Sequence, residues 1–412
     1  MISKLGIYVQ VPFCQTKCTY CNFHTGVVAS SRFAPYVEAV CREIREHREL
    51  LKAAGVGWGS GIDEKAHSQD SSRPDLATGQ RGLCHEDVVD TVYIGGGTPS
   101  LLDSGHLQNI LDAVRETFAG NLEEVTLEAD PETVAAEKAA AWARAGINRV
   151  SFGLQSFANK ELIAAGRMHR RADIYRAVPI LREAGVGNIS FDLIAGLPHQ
   201  TKESWRQSLG ELAALAPEHV SVYLLEIDEG SRLGKELLQG GGRYSAGAVP
   251  SEDEMAESYE IAQEALGAAG YHHYEISNWA KPGFESRHNL KYWRREPYLG
   301  FGAGAHSFSG TERWANAHDA AAYAAAVQSG RLPVEQHEKL TTESALEEEL
   351  FLGLRQLDGI DVGRIERQYG VTLGGRFERI ASAGLVEREG SLVRLAPEKL
   401  SVSNEVFVEL LR

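Results

Sequence analysis

Long apolar runs are missing from this chain. No stretch of the 412 residues approaches the roughly 18 to 20 consecutive apolar residues that a membrane span needs. The opening segment, MISKLGIYVQVPFC, has neither a long apolar core nor a small-residue cleavage site, so no export and a cytoplasmic address are expected. Cysteine is scarce: there are five, and three fall within eight residues, which cannot staple a chain of this length. An excess of basic charge is also absent. With 42 Lys and Arg against 57 Asp and Glu, the net charge is −15, and such a surface repels phosphate backbones and disfavours nucleic acid. What remains is an ordinary globular composition, 43% hydrophobic and 24% charged, long enough for one barrel with an appendage or two to three domains.

Strand-like and helix-like segments alternate through the first part of the chain. GIYVQV (6–11), VDTVYI (89–94), EVTLEA (124–129), NRVSFGL (148–154), NISFDLI (188–194) and HVSVYLLEI (219–227) read as strands. Helical patterns at 33–52, 104–118, 132–146, 172–185 and 202–215 separate them. Six strands with helical crossovers imply parallel pairing, and the expected fold is α/β, a partial (βα)6 TIM-type barrel whose chemistry sits at the C-terminal ends of the strands. Residues 55–87, rich in Gly, Ser and Asp without apolar period, read as a mobile insertion, and 239–250 as a glycine-rich loop. Beyond about 330 the pattern changes to short helices and a hairpin turning at EGS, a small winged-helix-like α+β unit. The expected division is 1–235 for the core, 236–330 for an extension and 331–412 for the small C-terminal domain.

Cys14, Cys18 and Cys21 follow the first strand directly, spaced CxxxCxxC. Three thiolates on one loop can hold three irons of a [4Fe–4S] cube and leave the fourth open to an amino and carboxylate chelate. The alternative is a Cys3His zinc site completed by His24, which lacks the second knuckle that structural zinc sites usually draw on.

FCQTKCTYC resembles the radical SAM (S-adenosylmethionine) superfamily motif. Together with YVQVPFC, YIGGGTPSLL, LEADPE, VSFGLQSF and FDLIAGLPHQT, it is similar to the oxygen-independent coproporphyrinogen III oxidase-like (HemN/HemW) family, over nearly the whole chain outside 55–87. The resemblance implies a [4Fe–4S] cluster on the three cysteines and S-adenosyl-L-methionine beside it. Gly96, Gly97 and Thr98 of the GGGTP turn would hold the methionine end of SAM; alone, that turn reads as a tight bend after a strand. Glu128, Gln155, Arg167 and Asp192 match SAM-contact positions, with Arg167 suited to clamp a carboxylate, and Tyr8 and Tyr20 match aromatic positions near cluster and nucleoside. Alone, the polar residues read as surface or salt-bridged groups, and the tyrosines as core. No catalytic residue beyond this set is assigned.

Two roles from different classes stay open. One is oxidative decarboxylation of coproporphyrinogen III; the other is carriage of haem to acceptor haemoproteins. Within the family, the resemblance gives the decarboxylase a fourth cysteine two positions after the third, where this chain has Phe23, and an N-terminal arm, for which no room is expected with Cys14 already the fourteenth residue. His288-Asn289-Leu290-Lys291-Tyr292-Trp293 fits the HNxxYW pattern of the haem-chaperone branch, making His288 the haem-contact candidate, with His272 and His273 as competitors. Arg287, Lys291, Arg294 and Arg295 lie adjacent as cations for propionates. Implied partners are haem or a porphyrinogen, haem-acceptor proteins and an electron donor such as flavodoxin or ferredoxin; a homodimer is left open.

Overall fold

The computed structural model describes residues 4–57 and 87–411. Most of the expected 55–87 insertion, and Cys84 within it, lies outside the described residues.

Six parallel strands form the centre: β1 (Leu5–Val11), β2 (Val89–Gly96), β3 (Glu124–Ala129), β4 (Arg149–Gln155), β5 (Asn188–Ala195) and β6 (His219–Leu224). They pair in chain order, each with the next. Between them run α1 (Phe33–Ala53), α2 (Ser104–Thr117), α3 (Ala136–Ala145), α4 (Asn159–Ala164), α5 (Arg171–Glu183) and α6 (Lys202–Leu215). The sheet stays open, as a partial barrel. Alternation along each strand sorts the side chains. Ile7, Val9, Val92, Ile94, Val150, Phe152, Ile189, Phe191, Val220 and Val222 belong to the apolar core beneath the helices. The intervening positions, such as Thr91, Thr126, Arg149, Ser190 and His219, are buried too, but polar. The inner face of the half-barrel is therefore a polar chamber rather than a hydrocarbon core.

The sheet continues past both edges. A hairpin of β7 (His272–Glu275) and β8 (Asn278–Ala280) pairs with β6, while β9 (Tyr298–Phe301), β10 (His306–Phe308), β11 (Glu312–Asn316) and β12 (Val334–Lys339) extend from β1. These strands have three to six residues and no clear alternation, so sequence period does not reveal them. A separate three-stranded sheet holds Ile360–Asp361, Val386–Glu389 and Leu392–Leu395, with the last two joined by a turn at Gly390 and Ser391. Among the described residues no helix is long and apolar enough to cross a membrane.

One more element positions the site. After α7 (Arg232–Leu238) and α8 (Glu252–Ala268), the short helix α9 (Arg287–Trp293) seats itself against the N-terminal ends of β1, β2 and β3. Glu124 accepts from the backbone N–H of Arg287 and His288 at 3.1 and 3.0 Å, and Lys291 bonds the carbonyl of Lys4 at 2.8 Å and pairs with Asp90 at 2.9 Å. Gly6 makes room for it: a Cβ there would lie 2.9 Å from Lys291 Cδ and 3.2 Å from His288 Cε1.

Candidate functional site

The loop after β1 closes on itself at its base. Gly26 N–H donates to Pro12 and Cys14 N–H to Gly26, at 2.9 and 3.0 Å. Thr19 bonds the backbone of Ala165 and the carbonyl of Ala164, and Asn22 bonds Asp228 at 2.8 Å, so both flanks of the cysteine segment are fixed. The GGG turn buttresses the loop from below. Gly97 N–H donates to Val11 and Thr98 N–H to Phe13, at 2.9 and 2.7 Å, and a Cβ on Gly97 would fall 2.5 Å from the Phe13 carbonyl oxygen. Only glycine permits that approach. With Gly96 N–H donating to Glu128 at 2.9 Å, the turn offers a ligand carbonyls rather than free N–H groups.

The three thiols open onto a cavity of about 540 Å³ at the C-terminal ends of the parallel strands. Tyr20, Gly96, Gly97, Thr98, Glu128, Gln155, Arg167 and Asp192 line it as well, so one chamber gathers all the sequence candidates except Tyr8 and His288. All three cysteines are free thiols, and burial pushes those of Cys14 and Cys21 above the ordinary range. Among the described residues no three His, Cys, Asp or Glu side chains converge on one metal-sized point. His24 is stacked on His318 at 3.9 Å and lies outside the lining, which takes away the fourth ligand a zinc site needs. A cube presents its irons at separate corners, so three thiols that do not converge fit a cluster better than a single ion.

The polar shell differs in detail from the sequence reading. Arg167 is not a free clamp. It forms an ion pair with Asp130, donates to Gly153 O at 2.7 Å and reaches Cys18 Sγ at 3.4 Å. Asp130, two residues beyond Glu128, is the partner that sequence reasoning missed, although LEADPE contains it. Gln155 adopts a left-handed conformation, φ 67°, where the β4–β5 register slips, a strained backbone of the kind that clusters at functional sites. Asp192 accepts from Ser151 at 3.1 Å, and burial raises its pKa. Glu128 accepts from Tyr93 at 2.9 Å, and burial pushes its pKa up to about 7 against the two bonds that favour the carboxylate. Because the folded pKa lies above the ordinary 4.5, Glu128 favours the folded state less as pH rises from 4.5 to about 7.

Tyr8 and His288 line a second cavity of about 300 Å³, which shares Tyr93, Glu128, Tyr223, Asn289 and Arg355 with the first. Tyr8 donates to Gln10 at 2.6 Å and stacks on Tyr93. The His288 ring is at the opposite end of the strands from the cysteines, with Nδ1 2.9 Å from Thr91 Oγ1 and Nε2 2.8 Å from the Tyr292 hydroxyl. Burial, with Lys291 and Arg149 nearby, pushes its pKa down to about 3, so the ring is neutral. Both ring nitrogens are engaged, and a role as iron ligand requires one bond to open. Of its rivals, His273 is stacked on Trp279 at 3.9 Å, and His272 is exposed on the edge strand. The neighbouring cations are engaged as well: Arg287 with Glu123, Lys291 with Asp90 and Glu296, Arg294 with Gln356, and Arg295 with Glu348.

Comparison with known proteins agrees with this architecture. The model of the Radical SAM superfamily matches residues 75–212, and that of the HemN C-terminal domain matches 340–398. The chain is 35% identical to the Bacillus subtilis protein named Heme chaperone HemW, over 97% of both chains. It is 32% identical to the Escherichia coli protein of the same name, over 74% of this chain and 70% of the relative. Among solved structures, that of coproporphyrinogen III oxidase (HemN) from Escherichia coli, a radical SAM enzyme, superposes with a TM-score of 0.78. It covers 99% of this chain and 89% of the other at 21% identity, a likeness of fold.

Proposed function

This chain belongs to the HemW family of radical SAM proteins, and from that premise we propose that it binds haem and passes it to acceptor haemoproteins. The observation that carries the reading is the match, over nearly the full length, to relatives named for that role. Phe23 supports it: where the resemblance gives the decarboxylase a fourth cysteine, this chain carries a phenylalanine that is 66% exposed.

In this reading Cys14, Cys18 and Cys21 hold a [4Fe–4S] cluster beside S-adenosyl-L-methionine. When bound, that pair supplies one-electron reductive cleavage of the sulfonium, with the electron coming from a flavodoxin- or ferredoxin-like donor. The chain's own residues prepare the place. Arg167 puts a guanidinium 3.4 Å from Cys18 Sγ, a positive charge beside the ligand position. The buttressed GGG turn fixes the loop and offers carbonyls to an ammonium group, and Glu128 offers a carboxylate. Tyr20 and the loop around it line one side of the cavity.

Glu128 gives this reading a pH signature. A cationic ligand prefers the ionised carboxylate, so SAM affinity is expected to rise between about pH 6 and pH 8 and to level off above the Glu128 pKa. Calorimetric titration should show that slope in the native chain and a flat profile in Glu128→Gln. An equal slope in the variant removes Glu128 from the site.

The role itself is tested by anaerobic incubation of reconstituted protein with reductant, SAM and coproporphyrinogen III, alongside a haemin titration. Stoichiometric haem binding without decarboxylated product is the expected result. Multiple turnovers to protoporphyrinogen IX would replace the carrier with the decarboxylase.

A further inference from the structure

The main cavity contains a positive charge that its own walls do not answer. Arg149, the first residue of β4, is 2% exposed and lines the chamber. Among the described residues its guanidinium forms no ion pair or hydrogen bond, and Nε is buried without a partner. Buried guanidinium groups are ordinarily paired, and the other buried arginines here follow that rule. Arg167 holds Asp130, and Arg295 holds Glu348 and the Tyr369 hydroxyl. Beside Arg149 in the β3–β4 register, the Thr126 hydroxyl is also buried and unpartnered.

The acids in the chamber are satisfied elsewhere. Glu128 takes Tyr93 and Gly96, and Asp192 takes Ser151. Asp192 acts on Arg149 only through space. A second cation reaches the same region. Arg355 lies over the Trp293 ring at 4.5 Å, has an unpartnered Nε, sits 3.7 Å from Glu275 and borders both cavities.

We propose that Arg149 and Arg355 form a carboxylate-binding floor of the cavity, where a bound ligand supplies the counter-charge that Arg149 lacks and Arg355, held by a long ion pair with Glu275, adds a second cation. Geometry indicates which ligand. Arg149 begins β4 and Gln155 ends it, so about 20 Å of strand separates this floor from the cysteine end. A carboxylate held beside the thiols does not reach it. The floor therefore receives a second group, and the two propionates on one edge of haem match two arginines. Naming propionate rests on the haem-carrier reading; the carboxylate chemistry does not.

The test uses the full chain with Arg149→Met, Arg149→Lys and Arg355→Met. Haemin and haemin dimethyl ester are titrated by absorbance, SAM is measured by equilibrium dialysis, and thermal melting is recorded without ligand. Arg149→Met is expected to weaken haemin at least tenfold, leave the ester and SAM unchanged, and melt no lower than the native chain. Arg149→Lys should recover part of the affinity. A tenfold loss for SAM with haemin unchanged overturns the floor, because it places Arg149 within reach of the SAM carboxylate. Unchanged affinity for both ligands overturns the floor, and so does a lower melting temperature with unchanged binding, which would make Arg149 the internal partner of Asp192. If the native chain binds no haemin, the carrier reading fails, and the same titration with coproporphyrin III, a free tetracarboxylate, decides the floor: equal affinity in the native chain and Arg149→Met overturns it. Should Arg149→Met not fold, Arg355→Met at the cavity border carries the same comparison.

Discussion

Serine in place of Cys14, Cys18 or Cys21 is expected to abolish the absorbance near about 400 nm that thiolate-to-iron charge transfer gives the reconstituted protein. The effect should be nearly complete for each position. A hydroxyl holds its proton far more tightly than a thiol and is a harder donor, so the serine oxygen replaces neither the charge nor the softness that iron–sulfur ligation needs. Among the described residues no nearby group takes over the lost position, because His24 faces His318 and Asp130 is tied to Arg167. Cys41, buried on α1, supplies the control: Cys41→Ser should keep the full spectrum. Measured iron content and electronic spectra after anaerobic reconstitution decide the matter. Full cluster occupancy in any of the three serine variants would refute the assignment.

Replacing His288 by alanine is expected to act on stability before it acts on haem. The imidazole fills the floor between β2 and α9, and its removal leaves a void and strands the hydroxyls of Thr91 and Tyr292. Cavity formation and two unmade buried hydrogen bonds together cost on the order of 2–5 kcal/mol. Urea unfolding of the cluster-free chain should show a lower midpoint at unchanged slope. Glutamine fills more of the space and keeps one bond, so its loss should be smaller. A His288→Ala chain of native stability that has lost the haem absorbance band would return His288 to ligand duty and contradict its part in seating α9.

Much of the site was legible before any coordinates. CxxxCxxC after a strand, glycines after the next, and a carboxylate ending the third are local patterns, and each fixes chemistry within a few residues of chain. The six parallel strands and their helices were legible for the same reason: periods of two and 3.6 are written in short windows. Within four residues, those elements lie where the alternation puts them, apart from the six-residue α4, which the pattern did not show.

Other features depend on residues far apart in the chain. Nothing local in VSFGLQSFANKELIAAGR states that Arg167 will meet Asp130 and Cys18, or in NRVSF that Arg149 will have no partner. Whether an arginine is a clamp, a brace or an unanswered charge depends on which strands bring their inner faces together. His288 shows the same limit. HNLKYW carries a histidine among aromatics, which suits a ligand or a packed ring equally, and the distinction came only when Thr91 from β2 and Tyr292 one turn along α9 took its two nitrogens. The residue types that chemistry requires, and their spacing along the chain, were fixed by the sequence itself. Their charge balance and the direction they face were set by tertiary structure, because electrostatics and hydrogen bonding act through space between groups the chain separates by tens to hundreds of residues.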